Sequence, residues 1–176
     1  MELVVLKSPE DAFKLLERLG APRRLIRHLE LVGEVGVEVI SKLDNLGVQY
    51  DRLFVEIGIA VHDAGKIVHP SELEKGGDLH EAAGEKLLLE RGVDAKIARC
   101  CRSHAQYASM GASFEELIIA LADTLWKGSR EADLELQVID GVVARLQADR
   151  WELFQTLDSC FEEIAADGDE RLSRSI

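Results

Sequence analysis

The chain has 176 residues, and its 33 acidic side chains outnumber its 21 lysines and arginines to give a formal charge of −12. Hydrophobic residues make up 47%, enough for a buried core and too many for a disordered chain. The charge, with no basic run, excludes a dedicated nucleic-acid binder, which needs a basic face. It leaves small phosphorylated ligands open if a metal ion supplies positive charge locally.

The pattern predicts an all-α chain. Leu3 to Leu6 is too short a run for a signal peptide and reads as a short extended arm. No apolar stretch approaches the roughly 18 residues of a membrane span. Ser8-Pro9-Glu10-Asp11 starts a helix that ends at Gly20, with Ser8 as N-cap and Pro9 in the first position. Pro22 opens a second helix to about Leu46, before Gly47. A third covers about Tyr50 to Ala64, with Gly65 as its stop. A loop from Lys66 to Leu79 leads to helices over about His80–Arg91, Asp94–His104 and Ser113–Trp126. The pattern resumes from Ala132 to Ala166 with a break near Asp149, and the polar tail from Asp167 to Ile176 should fray. Residues 1–21 form an arm and accessory helix, 22–130 the central domain, and 131–176 the C-terminal helices. In the last part Val138, Ile139, Val142, Val143, Leu146, Trp151, Phe154, Leu157 and Phe161 make a seam expected to pack on the central domain. A homodimer contact is the alternative. Cys100, Cys101 and Cys160 fit neither a disulfide framework nor a zinc knuckle, and read as reduced thiols of a cytoplasmic protein.

Several polar residues break the apolar logic of their helices. His28 falls on the stripe formed by Leu25, Val32, Val35 and Val39. The third helix is apolar nearly all round and then delivers His62-Asp63-Ala64-Gly65, which puts Asp63 in its last turn. A carboxylate there faces the negative end of the helix dipole after a buried run, so something cationic must offset it. Asp123 repeats the puzzle directly after Leu117-Ile118-Ile119-Ala120-Leu121-Ala122. His80 shares a face with Ala83, Gly84 and Leu87, and His104 one with Ile97 and Cys101. One shared cation explains this set more simply than independent salt bridges. Imidazole and carboxylate together suit manganese, iron, cobalt, nickel or zinc. One or two such ions would suit phosphate ester cleavage by activating water and neutralising phosphoryl charge.

His28, the pair His62-Asp63, and Asp123 resemble, in order, the four defining positions of the HD superfamily of metal-dependent phosphohydrolases. The resemblance covers about Pro22 to Arg130 and implies an HD-type helical bundle. His62-Asp63-Ala64-Gly65-Lys66, His80 followed by Gly84, and His104 resemble its dinuclear members. That resemblance implies that His28, His62 and Asp123 hold one ion, His80 and His104 the other, and Asp63 both. It also implies that Lys66 contacts the substrate phosphate; an ordinary solvated lysine is the alternative. Ala105, Gln106 and Tyr107 after His104 depart from the HD-GYP cyclic-dinucleotide phosphodiesterases. Size and spacing are nearer the diadenosine tetraphosphate hydrolases of the superfamily, but Ser103-His104-Ala105-Gln106 lacks the threonines of their His-Thr-Thr-Gly motif. Arg27, Lys127 and Arg130 are candidates to meet substrate phosphates, or are solvated surface charges. Trp126 either stacks on a base or packs at its helix end. The expected activity is hydrolysis of a nucleotide or other small phosphoester. The alternative is a regulatory or ligand-binding protein that keeps the metal with little turnover.

Overall fold

Ser8 Oγ accepts the Asp11 amide at 3.3 Å, and Pro9 begins helix α1 (Pro9–Arg18) as the sequence pattern requires. In the computed structural model, which describes residues 2–176, nine further α-helices follow. These are α2 (Arg23–Asn45), α3 (Arg52–Val61), α4 (Glu72–Lys75), α5 (Leu79–Glu90), α6 (Ala95–Met110), α7 (Phe114–Leu125), α8 (Ala132–Leu146), α9 (Arg150–Ala166) and α10 (Gly168–Ser173). Among the described residues no helix is long and apolar enough to cross a membrane. The only extended pairing among them is one parallel bridge between Val4 and Val93, where the N-terminal arm meets the loop after α5.

The core has two apolar clusters, and α2 and α3 serve both. Val32, Val35 and Val39 of α2 and Val55 and Ile59 of α3 join α7, α8 and α9 in the first. Leu25 and Leu29 of α2 and Ile57, Ala60 and Val61 of α3 join α1, α5 and α6 in the second. A helix that faces apolar neighbours on two sides must be apolar nearly all round, which accounts for the composition of α3. Leu134, Val138, Ile139, Val142, Leu157 and Phe161 pack into the first cluster, so α8 and α9 continue the core laid down by α2, α3 and α7. Trp151 departs from the expected seam: it is 65% exposed and stacks on Phe154.

Three boundaries differ from the sequence reading. Helix α3 ends at Val61, so Asp63 is not in its last turn but opens a 3-10 turn over Ala64–Ile67. Helix α6 runs past His104 to Met110, breaks its regular conformation at Gln106, and ends at Gly111 in the left-handed region. The C-terminal tail does not fray. Arg171 is buried and donates to the Trp126 carbonyl at 3.2 Å and the Ile164 carbonyl at 2.7 Å, satisfying groups at the ends of α7 and α9. Gly168 allows this docking, since a side chain there would collide with the Gly128 backbone. A polar composition concealed a buried guanidinium with fixed carbonyl partners.

Candidate metal centre

Asp63 lies at the centre of a convergence of five helical segments. Helix α2 brings His28 Nε2 to 2.8 Å from Asp63 Oδ2. His62, at the end of α3, has Nε2 3.6 Å from the same oxygen and 3.2 Å from Asp123 Oδ1 of α7. On the other side, His80 Nε2 of α5 stands 3.1 Å, and His104 Nε2 of α6 3.6 Å, from Asp63 Oδ1. The donor atoms therefore fall into two groups, His28–His62–Asp63–Asp123 and Asp63–His80–His104, each within 4.8 Å of one another, and Asp63 belongs to both. All six side chains named as candidate ligands from the sequence are brought together.

Close backbone approach makes this convergence possible. Gly65 does not have a positive φ; its role is space. A Cβ on Gly65 would lie 1.7 Å from the His80 carbonyl oxygen, and one on Gly84 2.8 Å from the Gly65 amide nitrogen. These two glycines let the first turn of α5 rest directly on the 3-10 turn, which brings His80 to Asp63.

The imidazoles are oriented from behind. His62 Nδ1 donates to the Ile59 carbonyl at 2.7 Å, and His104 Nδ1 to the Cys100 carbonyl at 3.1 Å. A carbonyl only accepts, so Nδ1 carries the hydrogen in both, and Nε2 faces the cluster as the atom that could coordinate an ion. His80 Nδ1 is 2.5 Å from Glu72 Oε2 instead.

The electrostatics call for positive charge. Asp63 is 2% exposed and His62 fully buried. Burial raises the Asp63 pKa, but His62, His28 and His80 outweigh it and hold the carboxyl well below its ordinary range. Burial lowers the His62 pKa, but the Asp63 and Asp123 carboxylates push it up to about 9. Burial and His62 together push the His104 pKa down. His28 Nε2 and Asp63 Oδ1 are buried without a well-directed hydrogen bond, although Asp63 Oδ2 lies 2.8 Å from the first and His80 Nε2 3.1 Å from the second. Buried, under-bonded imidazole and carboxylate atoms converging on two points fit divalent transition ions of the Mn, Fe, Co, Ni or Zn type.

The candidate phosphate contacts divide. Lys66 is 15% exposed at its side chain, and its Nζ sits 2.6 Å from Asp63 Oδ2, so it is held at the site rather than solvated. Lys66 and Lys127 line a cavity of about 260 Å³ over the cluster, with Glu81 and Trp126. Arg27 and Arg130 are engaged elsewhere. Arg27 donates to the Arg174 carbonyl and Glu30, and Arg130 to Glu135 and Asp158. Neither lines that cavity. Trp126 is 8% exposed and meets the edge of His28 at 4.8 Å between ring centres, so its main role is packing behind the ligand. Two participants were not singled out from the sequence. Glu72 backs His80, while Glu81 accepts a hydrogen bond from the Gln106 side-chain amide at the break in α6. No family model, curated protein or solved structure matches the chain.

Proposed function

We propose that the protein is a metal-dependent phosphohydrolase of the HD type, acting on a nucleotide or another small phosphorylated metabolite. The observation that carries this reading is the sharing of one buried carboxylate, Asp63, by two groups of imidazole and carboxylate donors. A structural site needs one closed set of ligands, whereas two adjoining sets at the floor of an open cavity suit chemistry on a bound anion. His28, His62, Asp63 and Asp123 would hold one ion, and Asp63, His80 and His104 the second. Ions bound there supply an activated water and offset charge on phosphoryl oxygens.

The chain's own residues do the rest. The shared carboxylate and the Nδ1 hydrogen bonds of His62, His80 and His104 fix the ligand geometry before substrate arrives. Lys66 and Lys127 supply the ammonium groups of the cavity, and in this acidic chain they draw a phosphate toward the cluster. Burial by α2, α3 and α7 lowers the local dielectric and strengthens each of these interactions. The reading is tested by metal analysis of the purified protein followed by a screen of nucleotides and sugar phosphates with added Mn²⁺, Co²⁺ or Ni²⁺. Near-stoichiometric transition metal and metal-stimulated release of phosphate or nucleotide are expected. Metal-free protein that takes up none of the three ions would overturn the reading.

A further inference from the structure

Glu72 is a buried carboxylate in a segment that reads as an ordinary polar loop. It is 8% exposed, and it accepts three hydrogen bonds from the start of α5. Oε1 accepts the Leu79 amide at 3.1 Å; Oε2 accepts the His80 amide at 3.0 Å and faces His80 Nδ1 at 2.5 Å. The N-cap residue of α5, Asp78, makes no side-chain cap. Glu72 takes over that task from α4, satisfying two of the first amides of α5. The neighbouring backbone leaves room for it: a Cβ on Gly77 would lie 2.4 Å from Glu72 Oε1.

The same carboxylate fixes the imidazole. A carboxylate accepts, so His80 Nδ1 carries the hydrogen and Nε2 is turned toward Asp63 Oδ1. His62 and His104 are oriented by carbonyls of their own helical turns, Ile59 and Cys100. Those supports are local, and they persist as long as the helix does. His80 alone among the three depends on a side chain from a separate element, the segment running from α4 to α5.

We propose that Glu72 is the positioning residue for the Asp63–His80–His104 group, and that it couples ion binding there to the order of the backbone from Glu72 to His80. The proposal rests on the reading of the cluster as a two-ion centre. Coupling is reciprocal by linkage: an ion that needs Nε2 of His80 in place stabilises the Glu72 clamp, and loss of the clamp weakens that ion. The ion at His28–His62–Asp63–Asp123 has no part in it.

The test is titration of metal-stripped protein with Mn²⁺ alone, read as stoichiometry and affinity. Wild type should bind two ions. Glu72→Ala should keep the first at wild-type affinity and bind the second about 10- to 100-fold more weakly, the usual effect of losing the outer partner of a ligating histidine. In a His80→Ala background the same substitution should cause no further loss of Mn²⁺ affinity. A Glu72→Ala protein with a lowered melting temperature but two ions at wild-type affinity would overturn the proposal, leaving Glu72 as a helix cap only. Wild type that binds no Mn²⁺, and no Co²⁺ or Ni²⁺ in the same titration, overturns the metal-centre reading itself. Should the variant not fold, hydrogen exchange on wild type decides: the Leu79 and His80 amides should gain protection with the second equivalent of Mn²⁺ rather than the first. Unchanged exchange of both amides refutes the coupling.

Discussion

Substitution of Gly65 by alanine separates close packing from backbone freedom. Gly65 has no positive φ, so alanine carries no conformational penalty there. The added Cβ would lie 1.7 Å from the His80 carbonyl oxygen and 2.6 Å from the Gly84 amide nitrogen, both of them backbone atoms. Ordinary contact requires the first turn of α5 to move away by about 1.5 Å or more. Coordinating constellations tolerate displacements of only about 0.5 Å, so His80 Nε2, now 3.1 Å from Asp63 Oδ1, would leave the centre. Overpacking costs about 1–3 kcal/mol where side chains yield, and two opposed backbones place Gly65→Ala at the top of that range. For a chain of this size about 3 kcal/mol lowers the melting temperature by about 6–12 °C. The assays are thermal unfolding of metal-free protein and Mn²⁺ titration of the folded form. Unchanged melting temperature together with intact binding of two ions would refute the proposed contact between α5 and the 3-10 turn.

Gly33→Ala is the matching control: it lies inside α2 with nothing within 4 Å of an added Cβ, so alanine should stabilise the protein by up to about 1 kcal/mol, seen as a raised urea midpoint. Replacing Arg171 with methionine should strand the Trp126 carbonyl and leave the Ile164 carbonyl only the Asp167 amide, at a cost of about 1–3 kcal/mol in urea unfolding; a change near zero would mean that the two guanidinium bonds contribute nothing net to stability. Glu116 is 4% exposed and bonds the Ser113 amide and Arg99; burial raises its pKa, but these partners lower it further. Its folded pKa lies below the unfolded one, so its contribution is full above about pH 5 and is lost as pH falls through the depressed value. Glu116→Gln should therefore lower stability at neutral pH and flatten the acid limb in urea midpoints measured between pH 6 and 3. Parallel wild-type and variant curves would contradict this.

Three of the candidate ligands were legible because they violate a helical pattern. His28 sits in an apolar stripe, and Asp123 follows six apolar residues; periodicity detects such misfits residue by residue. Asp63 was identified by the same reasoning, although the helix ends before it and its carboxylate lies at the head of a 3-10 turn. Glu72 was not legible. It stands two positions before Glu74 in the same polar segment, and only the backbone path distinguishes a buried clamp from the exposed partner of Arg24. Arg27 and Arg130 misled for the converse reason. Their closeness to His28 and Asp123 in sequence suggested the site, but nearby Glu30 and Glu135 together with Arg174 and Asp158, far along the chain, hold them elsewhere. Gly65 looked like a helix stop, whereas its need for space comes from α5, an element 14 residues away at its nearest. Contacts within one helix show in a periodic sequence; contacts between elements do not.

Under the proposed function, Asp63 joins two candidate ion sites into one hydrolytic centre. The direct measurement is hydrolysis of an aryl phosphate by wild type and Asp63→Ala, each stripped of metal and then supplied with Mn²⁺. Wild type should lose activity on stripping and regain it with Mn²⁺, while Asp63→Ala stays at background under both conditions. Equal Mn²⁺-dependent rates for the two proteins would contradict the account.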